Sequence, residues 1–323
     1  MEAIIPKIER KLIEQELTKD KLLRKTNVGG NELYIVTHHD SPNTMKEIAR
    51  LREVTFRYAG GGTGKSSDID QYDTMENPYK QLIVWDPEIH EILGGYRFHA
   101  CKTNKGIDFN LATSQLFSFS EEFKTDFLPY MIELGRSFVQ PEFQATGDRR
   151  KALYALDNLW DGLGALTILY PDIKYFFGKV TMYTHFDKTA RNLILYFLNK
   201  YFNDDKGLMQ SEEAIFKMEN FPELNELFNG GDYKNDYKIL RKEVTQLGEA
   251  IPPLINAYMN LTPTMKVFGT VENPYFGKVE ETAILININD IHPQKKERYI
   301  DSFANFLKKY KISKLQIRKI IQK

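Results

Sequence analysis

"TFRYAGGGTGKSSDIDQYD", residues 55–73, reads two ways. Letter by letter, Ala59-Gly60-Gly61-Gly62-Thr63-Gly64-Lys65-Ser66 is close to a phosphate-binding loop, with Ala where the first Gly usually stands. "LIVWD", Leu82 to Asp86, then looks like the apolar strand whose closing Asp holds magnesium in nucleotide hydrolases. A phosphate loop needs a buried strand before it and a helix directly after it. The backbone N–H groups then converge on the anion, and the helix N-terminus adds its dipole. The flanks here supply neither. "LREVTFRY" carries Arg52, Glu53 and Arg57 and continues a helical pattern. Asp68, Asp70 and Asp73 would repel a triphosphate, and Asn77-Pro78 would break any helix. Leu82 follows too soon for a crossover helix and its turns. The glycines read instead as the loop that ends a helix, where Gly is the commonest residue.

Working outward, 323 residues suffice for one large domain or two ordinary ones. Apolar residues at 42% and charged residues at 27% describe a globular chain. Lys+Arg and Asp+Glu are equal at 44 each, which argues against a general nucleic-acid binder. One cysteine, Cys101, excludes an internal disulfide framework and a multi-thiolate metal site. The start has charges every few residues and no apolar run of the secretory kind. No stretch approaches the ~20 apolar residues of a membrane span. The expectation is a cytoplasmic protein without a metal.

Residues 6–25 read as a charged amphipathic helix ending before Gly29-Gly30. Glu32 to His38 is a strand by its β-branched and aromatic run. Ser41-Pro42-Asn43 opens a helix with Met45, Ile48, Leu51 and Thr55 on one face. "QLIVWD" and "EILGGYRFHACK" form a hairpin, and "MIELGRSFV" (Met131 to Val139) a further strand. A long helix runs from Arg149 to Leu169, stopped by Pro171. Ile173 to Tyr183 is the next strand, and Asp187 caps the helix "KTARNLILYFLNKYF". Pro252-Pro253 starts a short helix and Val279 to Asp290 holds a strand. The fold class is α/β (α+β): a mixed, mostly antiparallel sheet flanked by helices. Three parts are expected. They are an N-terminal helical extension (1–30), a main domain (31–305) with a helical insertion at about 203–250, and a basic C-terminal tail (306–323). The last sixteen residues hold seven Lys/Arg and no acid.

The charged residues of these elements follow a fixed order. Arg52 and Phe56 come first, then Asp70-x-x-Asp73, then Arg97, then Glu133-Leu-Gly-Arg136. Charges are rarely buried unless paired, so an ion-pair network fixing the loop to the sheet is one reading of them. The run "LREVTF…DIDQYD…YKQLIVWD…ILGGYRF…ELGRSFVQPEF" also resembles a known family. It looks like the GNAT-fold acyltransferases related to acyl-homoserine-lactone synthases and to the ornithine and glycine lipid N-acyltransferases. The resemblance is strongest over residues 45–185. The glycine-rich loop is most similar to the glycine-lipid branch, whereas lactone synthases carry a Trp there.

The resemblance implies transfer of a long-chain (3-hydroxy)acyl group from a phosphopantetheine thioester to the amine of a small amino acid. Glycine is the first expectation, with ornithine or another amine as the alternative, and a non-catalytic lipid- or carrier-binding protein of the same fold as the alternative of another class. The donor would be an acyl carrier protein or coenzyme A, and no cofactor would be bound permanently. An attacking amine must lose a proton, and Glu133 is the candidate base, directly or through water. Strand alternation puts Glu133, Gly135 and Ser137 on one face, and Leu134, Arg136 and Phe138 on the other. Arg136 and Tyr183 complete the candidate catalytic set, Tyr183 or His185 as proton source for the departing thiolate. Arg52, Phe56, Asp70, Asp73, Arg97 and Ser137 are candidates for substrate binding. Arg97 and Arg136 would either clamp a carboxylate or pair with Asp70 and Asp73. Phe138 and Val139 are expected to polarise the thioester carbonyl through backbone N–H groups. Gln144, Gly147 and Arg149 resemble the family's donor loop. The basic tail would attract an acidic carrier protein or an anionic membrane surface. The glycines become the mobile lip of the acyl-transfer site.

Overall fold

The computed structural model describes residues 1–103, 105–144, 152–211 and 213–313, without the side chains of 152 and 153. The candidates Gly147 and Arg149, and the tail from 314 on, lie outside the described residues. The chain forms two compact units. One comprises Met1–Ala100, Leu134–Ile173 and His292–Lys323, the other Cys101–Glu133 and Lys174–Ile291.

In the first unit, strands β1 (Leu22–Lys25), β2 (Glu32–Val36), β3 (Lys80–Asp86) and β4 (Glu91–Ala100) pair in that order, each antiparallel to the next. Helix α1 is only Arg10–Glu16, so the expected helix over 6–25 is corrected. Leu23 is buried, and Leu22 to Lys25 pair with Tyr34 to Glu32. The Gly29-Gly30 turn supplies the two left-handed residues (φ 88° and 70°) that fold this segment back as a hairpin. Helix α2 (Pro42–Tyr58) follows, with Pro at its first turn, where no N–H partner is needed. Its Met45, Ile48, Leu51 and Thr55 are all buried. The one-turn α3 (Gln71–Thr74) starts at Asp70. Helix α4 (Ala152–Leu169) buries Leu159, Leu163 and Leu166.

Strand β5 (Met131–Val139) begins in the second unit and ends in the first. At its far end the Gln140 N–H donates to the Leu93 carbonyl, 2.9 Å. In the second unit, Lys174 N–H donates to the Tyr130 carbonyl, 2.8 Å, so β5 and β6 (Tyr175–Met182) set out side by side. Strands β6, β8 (Val279–Asn287) and β7 (Lys266–Asn273) are antiparallel in that order. Strand β7 is an addition to the sequence reading. Helices α5 (Lys188–Phe202), α6 (Tyr233–Gln246) and α7 (Pro253–Met259) belong to this unit. Asp187 caps α5 as expected, its carboxylate accepting from the Thr189 and Ala190 N–H groups. Phe123, Phe177, Phe268, Leu208 and Leu285 form the core here, with Cys101 among them. Burial pushes the Cys101 thiol up, which suits packing and not nucleophilic attack. The sheet-and-helix class is as expected from the sequence.

Candidate active site

The glycine loop is built around an anion, but the anion is the protein's own. Glu53, on the face of α2 that ends at the loop, is fully buried. Its Oε2 accepts from the Thr63 N–H (3.1 Å) and hydroxyl (2.7 Å), and its Oε1 from the Gly64 N–H (2.8 Å) and Arg57 Nε (2.7 Å). Burial alone would raise this carboxyl; Arg57 and the loop donors hold it below the usual range. Gly60, Gly62 and Gly64 have φ of 88°, 93° and 74°, the left-handed region that favours glycine. The N-terminal segment lies over the loop: Glu2 N–H donates to the Gly64 carbonyl (2.8 Å), and Ile5 N–H to that of Ser66 (3.0 Å). Ser66 N–H donates in turn to the Glu2 carboxylate, 2.8 Å. The loop is thus a tied helix end. Its N–H groups at Thr63, Gly64 and Ser66 all bond within the chain.

Beneath the loop, three arginines meet three aspartates in the first unit. Arg52 on α2 donates through Nη1 to both Asp73 oxygens (3.2 and 3.1 Å), and through Nη2 to Gln81 on β3. Arg97 on β4 donates through Nη1 to both Asp70 oxygens (2.7 Å each) and to Asp73 (3.3 Å). Its guanidinium also lies over the Tyr79 ring, 5.1 Å from the centroid. Arg136 on β5 meets Asp68 at 2.8 Å and Asp70 at 3.6 Å. Asp70 and Asp73 close a capping box on α3, each carboxylate accepting from the other's backbone N–H. Arg52, Asp68 and Asp73 are fully buried, and Arg97 is 2% exposed. Burial opposes ionisation of Asp70, but Arg97 and Arg136 overcome it and hold the carboxyl well below the carboxylate range. Arg97 is desolvated too, and Asp73 and Asp70 push it upward. The pairing reading of Arg97 and Arg136 is thus the one the geometry realises. Phe56 is buried on the same helix as Arg52. Asp68 and Gln81 were missed as site residues, although Asp68 opens the same D-x-D-x-x-D run.

Arg136 itself has φ 47° inside the strand. A left-handed residue interrupts the pleat, so the alternation counted from Glu133 does not carry past it. Beyond it, Phe138 is buried against the bare glycines of β4. A Cβ on Gly94 would lie 2.5 Å from the Phe138 carbonyl oxygen, and one on Gly95 3.1 Å from its ring. Ser137 and Val139 are half-buried, and Gln144 donates to the Val139 carbonyl, 2.9 Å.

In the second unit, Glu133 on β5 is buried, its carboxylate against the turn Thr113–Gln115. Its Oε1 accepts from the Thr113 N–H (2.8 Å) and hydroxyl, and its Oε2 from the Ala112 N–H (3.3 Å). Lys179 on β6 donates to the Ala112 carbonyl (3.3 Å) and pairs with Glu281 on β8 (3.0 Å). Thr113 and Lys179 carry no motif that the sequence could flag. Tyr183 is stacked beside His185, ring centroids 6.1 Å apart. Burial, and then the charge of Glu281, push the Tyr183 phenol up to about 12. Among the described residues no group of side chains could hold a metal ion. No helix among them is long and apolar enough to cross a membrane.

An acetyltransferase (GNAT) domain model matches residues 51–152, the segment that carries the arginine–aspartate network and β5. The glycine N(alpha)-acyltransferase of Phocaeicola vulgatus is 53% identical over 310 residues, which cover 94% of this chain and 94% of its own. That of Bacteroides thetaiotaomicron is 54% identical over 307 residues, covering 94% of this chain and 91% of its own. This chain belongs to the glycine N(alpha)-acyltransferase family. Among solved structures, a CoA-dependent acyl-homoserine lactone synthase covers 85% of this chain and 90% of its own, at 11% identity and a TM-score of 0.36. Residues 59–66 are not a nucleotide loop: Thr63 and Gly64 hold Glu53, and the helix that follows is the one-turn α3.

Proposed function

We propose that the chain transfers a long-chain 3-hydroxyacyl group from a phosphopantetheine thioester to the amine of glycine. The product is an N-acylglycine, the first step toward an amino-acid lipid. The observation that carries this reading is the identity above 50% with two glycine N(alpha)-acyltransferases over nearly their whole length. The reaction balances as thioester plus zwitterionic glycine giving amide, thiol and one released proton. The ammonium must first lose a proton, because without a lone pair it cannot attack.

Glu133 is the proposed base. Both its oxygens already accept hydrogen bonds, so the proton passes through a bridging water. Tyr183 is proposed to meet the departing thiolate. With the phenol near 12 and a thiol near 8.5, full transfer from tyrosine would be uphill. Tyr183 therefore stabilises the thiolate by hydrogen bonding, and the amine nitrogen supplies the proton. Phe138 and Val139 N–H groups are proposed to polarise the carbonyl. The arginine–aspartate network holds α2, α3, β4 and β5 as one rigid wall.

The test is mass spectrometry of lipids from cells expressing the chain, with purified protein offered glycine and either acyl carrier protein or coenzyme A thioesters. N-acylglycine is expected. Its absence with both donors and in cells would overturn the reading, and the two donors separate carrier protein from coenzyme A.

A further inference from the structure

We infer that Lys179 is a positioning residue for Glu133, acting through the single peptide group that joins Ala112 to Thr113. This rests on the reading of the chain as an amino-acid N-acyltransferase with Glu133 as its base.

The carbonyl of that peptide group accepts from Lys179 Nζ, 3.3 Å, and its N–H donates to Glu133 Oε1, 2.8 Å. Ammonium, peptide and carboxylate therefore form one chain of hydrogen bonds. Each bond in such a chain polarises the next, so the positive charge at one end strengthens the donor at the other. The same turn supplies the Ala112 N–H to Oε2 and the Thr113 hydroxyl to Oε1. These three donors stand on two consecutive residues. Whatever fixes the peptide between them fixes both oxygens of the carboxylate.

Lys179 is held in its turn. It pairs with Glu281 at 3.0 Å, and that carboxylate also accepts from Asn273, 3.1 Å. Strand register explains the meeting. Lys179 lies opposite Ala283, so Glu281 is its diagonal neighbour on the same face of the sheet. Glu281 lies opposite Val271, and Asn273 is diagonal to it in the same way. All three side chains are largely withdrawn from water. Pairing with Glu281 alone would neutralise the ammonium; the bond to the Ala112 carbonyl is what couples it to Glu133. The Glu281 charge also reaches Tyr183, whose phenol it helps to raise. The ion pair is thus close to both residues proposed to act on the substrate.

The test is steady-state kinetics on a double-mutant cycle of Lys179→Met and Glu133→Gln, with glycine and an acyl thioester varied separately. Lys179→Met should lower kcat roughly 10- to 100-fold, the range for a misplaced reacting group, with both KM values unchanged. In the Glu133→Gln background the same substitution should lower kcat by less than about 2-fold, because no base remains for it to position. Where Lys179→Met strands Glu281 and the chain does not fold, Lys179→Met combined with Glu281→Gln removes both charges and takes its place in the cycle. An unchanged kcat, a rise in KM alone, or an equal loss in both backgrounds would overturn the positioning role. A Glu133→Gln variant with full turnover would overturn the base and the positioning role with it. Wild-type protein that acylates no amino acid would instead overturn the function on which both rest.

Discussion

Arg52 and Lys65 were both legible as cations in the same short segment, yet their surroundings make them opposites. Arg52 has no exposed surface and holds Asp73 and Gln81. Removing one member of a buried pair leaves the other charge uncompensated. Arg52→Met should therefore cost about 3–5 kcal/mol in urea unfolding, since Arg97 replaces only part of what Asp73 loses. Lys65 has an exposed side chain, in the position a phosphate loop would give its catalytic lysine. Lys65→Ala should change stability by no more than about 0.5 kcal/mol and leave turnover intact. A loss of activity in that variant would reopen the nucleotide question. The order Arg52, Asp70, Asp73, Arg97, Arg136 could be read from the sequence because charges at apolar-patterned positions need partners. Which carboxylate met which arginine could not, because pairing depends on the backbone approach of α2, α3 and β5. Ala112 and Thr113 were invisible because Ala112 reaches Glu133 through a backbone N–H, which every residue has, and Thr113 adds only a common hydroxyl to its own.

At the scale of elements, the glycine loop and the β4 glycines answer different steric demands. In the loop, positive φ lets successive N–H groups turn toward Glu53. Glu53→Gln would place an amide N–H₂ against donors that need an oxygen. It should cost about 1–3 kcal/mol and raise hydrogen exchange at Thr63 and Gly64. A loop as protected in the variant as in the wild type would mean that other contacts hold it. On β4, Gly94 needs no unusual φ; it needs space. Its Cβ would stand 2.5 Å from a backbone oxygen of β5, which cannot rotate away. Gly94→Ala should destabilise by more than about 4 kcal/mol or leave no folded protein, seen as loss of the thermal transition. Strands β2 to β6, strand β8 and the helices α2 and α5 were plain in the sequence from apolar period and caps; β7 was not. Strand β1 was not, because Leu22 and Leu23 sit at the end of a charged run whose spacing also fits a helix. Only the Gly29-Gly30 turn distinguishes the two, and its role appears once β2 offers a partner.

For the whole molecule, equal numbers of acidic and basic side chains hide an uneven distribution of perturbed groups, and pH brings it out. The carboxyls of Asp40, Glu53, Asp70 and Asp236 all lie below their usual range; burial opposes this, and their hydrogen bonds and cationic partners prevail. A carboxyl lowered by folding stabilises the fold above its unfolded value, about 4, and that contribution is lost as pH falls through the folded value. Asp161 and Glu280, raised by burial, act in the opposite sense but are fewer. At the alkaline end, burial raises the phenols of Tyr34, Tyr170, Tyr183, Tyr201, Tyr233 and Tyr299. A raised phenol keeps its proton longer folded than unfolded, so stability declines as pH climbs past about 10. The free energy of unfolding in urea should thus be nearly flat between about pH 5 and 9 and fall on both sides. Asp70→Asn separates the site from the background: it removes one of the lowered carboxyls, so the acid limb should become shallower while the alkaline limb stays unchanged. An acid limb of unaltered slope in that variant would mean that Asp70 is not held ionised by Arg97 and Arg136.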